Sequence, residues 1–203
     1  MEQILRWSQR VLFACAIVLL GYCAYLTVES WMFQRQSKID LMNGTEPKAN
    51  TPAPIKAGDL LGRIDVERLG VSVAVVEGAD FAELQHAAGH IAGTAFPGRK
   101  GNTAIAAHRD TFFWPLRNVR ANDVIRVTTR NGIYRYRVVS TKIVKPDDVS
   151  ILNSNGKEIL TLVTCYPFYF VGSAPNRFIV RAERLHSAIA PTLQPVSTRA
   201  HLY

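Results

Sequence analysis

The chain has 203 residues, 48% of them hydrophobic, and a formal net charge of +8. That is enough for one domain with a real core plus appendages. With only three cysteines and no C-x-x-C it is neither a disulfide scaffold nor a zinc module, and no arginine-rich run or aromatic–basic repeat points to nucleic acid. The positive charge suits anionic lipid or cell-wall polymer equally well.

Residues 1–10, with Arg6 and Arg10, precede a stretch free of charge from Val11 to Val28. At helical rise that stretch reaches roughly 27 Å, close to a bilayer's hydrocarbon core. Trp31, Met32 and Phe33 then supply an aromatic and apolar interface anchor, so residues 11–33 read as an uncleaved transmembrane signal anchor in contact with lipid. The basic residues ahead of it favour a cytoplasmic N-terminus and an exported C-terminal domain. Residues 34–58, with Pro47, Pro52 and Pro54, read as a flexible tether. Residues 186–203 read as a disordered tail.

Between residues 59 and 185 the pattern is mostly β. Leu60–Val66 and Val71–Val76 are short β-branched runs around a Leu69-Gly70 turn, and Asp80 is placed to cap a helix through Ala87. His86 and His90 flank that helix end and read as surface or capping histidines. Thr103–Ala107 is a small-residue strand ending at His108, and Pro115 limits a helical turn in TFFWPLRNV. Two strands, Asp123–Thr129 and Ile133–Val144, flank Arg130-Asn131-Gly132, a hairpin signal. Ile159–Cys165 and Arg177–Glu183 complete about eight strands. Too few long helices separate them for a layered α/β fold, so the expectation is a small closed β-barrel with short helices.

Cys165 ends the apolar run ILTLVTC, and Pro167 stops the strand just beyond it. Cys15 and Cys23 lie in the apolar segment, so the folded domain holds one unpaired thiol. In an exported domain such a thiol is either reactive or a small buried hydrophobe. A catalytic thiol needs a proton-transfer partner and an oxyanion donor. His108, at a strand end, is the candidate for the first. Arg177, opening RFIVRA one loop after Cys165, is the candidate for the second, with Arg181 as its competitor on the same strand face. Asp110 either supports His108 or caps the next turn. Phe168, Tyr169 and Phe170 are candidate substrate contacts, or else pack beneath their loop. Thr164 is also a candidate contact beside the thiol, although strand alternation turns it toward packing.

The strings GNTAIAAHRDTFF, TLVTCYPF and NRFIVRAE resemble those of sortases, the membrane-anchored cysteine transpeptidases of bacterial cell surfaces, and most closely the class D group. The resemblance covers roughly Leu60–Glu183. It implies an eight-stranded barrel, with Cys165 as nucleophile, His108 as acid/base and Arg177 as transition-state stabiliser. It further implies a surface-protein or pilin substrate carrying an LPxT[G/A]-like sorting signal, and an amine acceptor in the cell envelope. No cofactor is expected, and no compact acidic cluster in the sequence argues for a divalent cation. Ala107 stands where many relatives have glycine, and no Asp-Pro-Trp lid precedes the barrel. Read from the residues alone, a tethered non-catalytic binding or scaffold module and a thiol hydrolase without amine transfer stay open.

Overall fold

The computed structural model describes residues 2–42 and 55–186. Eight strands close into one barrel: β1 (Leu60–Val66), β2 (Val71–Glu77), β3 (Ala88–His90), β4 (Gly101–Ala106), β5 (Val124–Thr129), β6 (Gly132–Val144), β7 (Glu158–Tyr166) and β8 (Asn176–Arg184). Around the barrel they run β1-β2-β3-β4-β7-β8-β6-β5. Most neighbours are antiparallel, but β2–β3 and β4–β7 are parallel. Closure leaves no strand edge free to pair with another chain.

Alternation explains which side chains fill the barrel. Ile64 and Val66 of β1, Val73 and Val75 of β2, Ile125 and Val127 of β5, Leu160 and Leu162 of β7 and Val180 of β8 meet in one buried cluster. Truncating one of these, Leu162→Ala for instance, costs about 2–5 kcal/mol through lost burial and the cavity left behind. Strand β7 departs from alternation because its outer face is covered too. Thr161 Oγ1 donates to Asn102 Oδ1 at 2.7 Å, and Asn102 Nδ2 donates to the Ile151 carbonyl at 2.8 Å in the 3₁₀ turn Val149–Leu152. A continuous apolar run is what a strand buried on both faces requires.

The sequence expectations for the strands hold, with one addition. The three-residue β3 was not expected, and it carries His90 into the interior at 1% exposure. There His90 Nδ1 lies 2.7 Å from Glu77 and Nε2 lies 3.0 Å from Thr94 Oγ1, with the ring stacked on Phe96. The surface or capping role expected of His90 is thus replaced by a buried polar pin between β2 and the 91–96 segment. Helix α2 (Phe81–His86) forms where expected, and Asp80 occupies its N-cap position without making a side-chain cap hydrogen bond. The Leu69-Gly70 turn is present, with Gly70 at φ +66°, a conformation glycine adopts without steric cost.

The N-terminal region differs more. A single helix, α1 (Glu2–Met42), contains a segment long and apolar enough to cross a membrane. It continues past residue 33 and docks on the barrel. Phe33 packs against Ala74, Val76 and Ala87. Gln34 accepts from the Ala74 N–H and donates to the His86 carbonyl, both at 2.8 Å, and Ser37 is 2% exposed. The flexible tether expected from residue 34 is therefore helical through residue 42 and held to the barrel at Gln34. Residues 55–58 are also tied down, with the Gly58 N–H bonded to the Glu77 carbonyl. The remainder of the expected tether, 43–54, and the expected tail from 187 onward lie outside the described residues.

Candidate active site

Three strand ends meet at one rim of the barrel. Strand β7 lies between β4, its parallel neighbour, and β8, its antiparallel one. The β7–β8 register sets Cys165 directly opposite Arg177. Cross-strand partners have Cβ atoms about 4.5–5.5 Å apart and share a face. On the other side Ala106 pairs with Val163, and the Ala107 N–H continues the ladder to the Val163 carbonyl at 3.1 Å. His108 therefore comes level with Cys165. Ala107, Thr164 and Phe178 turn toward the core, so His108, Cys165 and Arg177 alternate onto the outer face. All three are partly exposed. Cys165 is a free thiol.

Arg181 pairs with Thr161 on β7 and Ser140 on β6, four residues down the strand from Arg177. At strand rise that is about 13 Å from the rim. It shares the face of Arg177 but not the end. The Arg177 guanidinium is steered by its own loop: Nη1 donates to the carbonyls of Ala174 at 3.3 Å and Asn176 at 3.1 Å. Its Nε and Nη2 make no hydrogen bond among the described residues.

The supporting residues sort differently from expectation. Thr164 is 3% exposed, faces away from Cys165, and donates its hydroxyl to the Ala107 carbonyl at 2.7 Å. It fastens the His108 arm instead of touching a substrate. Phe168 is 8% exposed and packs in the core against Phe178, Tyr166 and Trp114, so it too lies beneath the loop. Tyr169 and Phe170 do stand out, at 79% and 45% exposure, with Tyr169 edge-on to Trp114. Asp110 is exposed, and its carboxylate makes no hydrogen bond or ion pair among the described residues, neither to His108 nor as a cap.

One rim residue was not singled out from sequence. Arg109, next to His108, donates through Nη2 to the carbonyls of Phe170 at 2.7 Å and Gly172 at 3.0 Å, linking the β4 arm to the β7–β8 loop. Its adjacency to His108 in the HRD string was the available signal. A cleft of about 460 Å³ lies elsewhere, beside Phe96, Pro97 and Tyr134, and holds none of these residues. No cluster of three or more metal-ligating side chains occurs among the described residues.

Residues 64–185 match the family model of the sortase domain. The chain is 34% identical over 131 residues to sortase D of Bacillus subtilis, covering 64% of this chain and 66% of that protein. It is 31% identical over 110 residues to sortase A of Listeria monocytogenes, covering 52% and 49%. The chain thus spans slightly less than two thirds of the first relative and about half of the second. Among solved structures, the sortase D5 transpeptidase of Clostridium perfringens superimposes with a TM-score of 0.65 at 28% identity, over 79% of this chain and 99% of that one. A barrel of this topology, with the family's domain model matched from β1 to the end of β8, makes this chain a member of the sortase family, similar in sequence to the class D group.

Proposed function

We propose that this chain is a membrane-anchored cysteine transpeptidase that cuts an LPxT[G/A]-like C-terminal sorting signal and joins the new carboxyl end to an amine of the cell envelope. The observation that carries the reading is the meeting of His108, Cys165 and Arg177 on one outer rim, with Cys165 and Arg177 in direct register.

In the first half-reaction the Cys165 sulfur, as thiolate, attacks the threonine carbonyl carbon. Arg177 donates to the oxyanion that develops on the carbonyl oxygen, where a planar fork of donors suits the charge better than a point ammonium. His108, as imidazolium, gives its proton to the departing amine. The C–N bond breaks, a C–S thioester remains, and the signal's C-terminal piece leaves. In the second half-reaction an acceptor amine attacks the thioester carbon while His108 takes up the amine proton. The C–S bond breaks, and an amide and the free thiolate result. A thiol is nucleophilic enough for this without a strong neighbouring base. The exposed aromatics Tyr169 and Phe170 form the wall of the peptide groove.

The apolar part of α1 is the membrane anchor, with the barrel on the extracytoplasmic side, where substrates arrive as membrane-held surface proteins or pilins. The test is product mass. With an LPxTG peptide and an added amine, the wild-type chain should give the amide, and Cys165→Ala should give no product. Retained cleavage in Cys165→Ala overturns the mechanism. Release of the free acid alone, even with amine present, makes the enzyme a hydrolase.

A further inference from the structure

Beyond the buried Phe168 and the edge contact of Tyr169 with Trp114, the loop joining β7 to β8 has little to hold its tip. Tyr169 and Val171 are 79% and 95% exposed, and the loop's one internal backbone hydrogen bond near its tip, from the Phe170 N–H to the Pro167 carbonyl, is long at 3.4 Å. An exposed segment with so few contacts opens easily on its own. Yet it carries Tyr169 and Phe170, and it leads directly into Arg177, whose guanidinium leans on the loop carbonyls of Ala174 and Asn176.

Arg109 is what crosses to it. Its Nη2 bonds the Phe170 and Gly172 carbonyls, and its guanidinium carbon lies 5.8 Å from the centre of the Phe170 ring. No carboxylate pairs with it among the described residues, and its buried Nη1 has no partner. The guanidinium is thus committed to loop carbonyls and not to an ion pair. Gly172 holds φ at +100°, which turns its carbonyl in a way an L side chain resists. Arg109 and His108 are consecutive, so one backbone arm sets both.

We propose that Arg109 is a positioning residue of the transpeptidase: it clamps the β7–β8 loop to the His108 arm and so fixes the groove wall and Arg177 relative to Cys165. This rests on the function proposed above. It assigns Arg109 no contact with the reacting atoms. A small misplacement of a loop that orients substrate is enough to cost a large factor in rate.

The test uses the full chain and two kinds of readout. Arg109→Met keeps the apolar stem and removes the fork, and Arg109→Lys keeps the charge. In folded protein, chymotrypsin nicking at Tyr169 and Phe170 should speed up about tenfold in Arg109→Met, with the melting temperature within about 2 °C of wild type. On an LPxTG peptide, kcat/KM should fall about tenfold or more, chiefly through KM, with Arg109→Lys intermediate. Unchanged nicking overturns the clamp. Faster nicking with unchanged kcat and KM overturns the positioning role.

If Arg109→Met unfolds, Gly172→Ala serves from the other side. A Cβ there meets no atom within 4 Å, so only the backbone turn is disturbed. It should reproduce the nicking and KM changes, and wild-type behaviour in Gly172→Ala overturns the proposal. Absence of peptide turnover by the wild type would count against the transpeptidase reading, and the nicking comparison would then decide the clamp alone.

Discussion

Cys165 and Arg177 are direct partners across the β7–β8 ladder. This pairing has a consequence for mutation that a mere neighbourhood would not. The cysteine's face and height on the barrel fix the arginine's, so the root of the Arg177 side chain is set by backbone hydrogen bonds and only its guanidinium by the loop. Arg177→Lys should therefore fold normally and lose about 100-fold or more in kcat on an LPxTG peptide, the loss typical of removing an oxyanion donor. Arg181→Lys, paired with Thr161, should stay within about threefold of wild type. Steady-state kinetics on both variants decides it, and the reverse order of effects would move the oxyanion role to Arg181.

Thr164 predicts a different signature. Its hydroxyl satisfies the Ala107 carbonyl, one residue before His108, from inside the core. Thr164→Val keeps shape and removes the donor, leaving that buried carbonyl unpaired at a cost of about 1–3 kcal/mol. Thermal denaturation should show the loss, and kcat/KM should fall because the His108 arm loosens. Thr164→Ser should recover most of both. A Thr164→Val enzyme with native stability would mean that the hydrogen bond contributes nothing net.

How far the sequence revealed this site depends on what each residue's role requires. The thiol, the histidine and the arginine sit in short strings whose types and strand-end positions are themselves chemical, and they could be picked out one by one. The register that sets Cys165 opposite Arg177 could be anticipated only from an assumed antiparallel return. The parallel pairing of β4 with β7, which brings up His108, joins segments 57 residues apart in the 107–164 bond and leaves no local trace. Thr164 and Phe168 were hard to place for the same reason. Aromatic and hydroxyl side chains next to a nucleophile suit a groove or a core equally, and only the packed barrel end separates Phe168, against Phe178, from Tyr169, out in solvent. His90 was misread because β3 is too short to show a period. Residues 34–42 do not show in sequence as part of the helix because what docks them is non-local: Gln34 bonds the Ala74 N–H and the His86 carbonyl, and Arg63 donates to the Gln34 carbonyl.

That docking is testable. Gln34 spans the Ala74 N–H and the His86 carbonyl, two backbone groups of the barrel domain. Gln34→Ala should release α1 from the barrel without unfolding it. Hydrogen exchange in residues 34–41 should accelerate by an order of magnitude or more, while amides of β7 and β8 keep their protection. Equal protection in the variant would show that Phe33 packing and the Arg63 bond to the residue-34 carbonyl hold the helix without the Gln34 side chain.

The last prediction concerns pH and lies away from the rim. Asp123 receives a two-pronged hydrogen bond from the Arg68 guanidinium and a third from the Arg120 N–H at 2.8 Å. The Arg68 hydrogen bond, helped by the Arg120 N–H, outweighs burial and holds this carboxyl below the ordinary carboxylate range. Folding therefore favours the ionised form, and the unfolded chain binds the proton first as pH falls. The stabilisation is complete above the unfolded value near pH 4 and is lost as pH drops through the lower folded value. Arg68 also donates to the Asn118 carbonyl at 2.7 Å, so the carboxylate anchors a side chain that ties two connections together. Asp123→Asn should lower the melting temperature at pH 7, and the gap to wild type should shrink steadily from about pH 5 downward. A gap that stays constant from pH 7 to pH 3 would mean that the carboxylate's charge does not carry the effect and that Asp123 acts only through neutral hydrogen bonding.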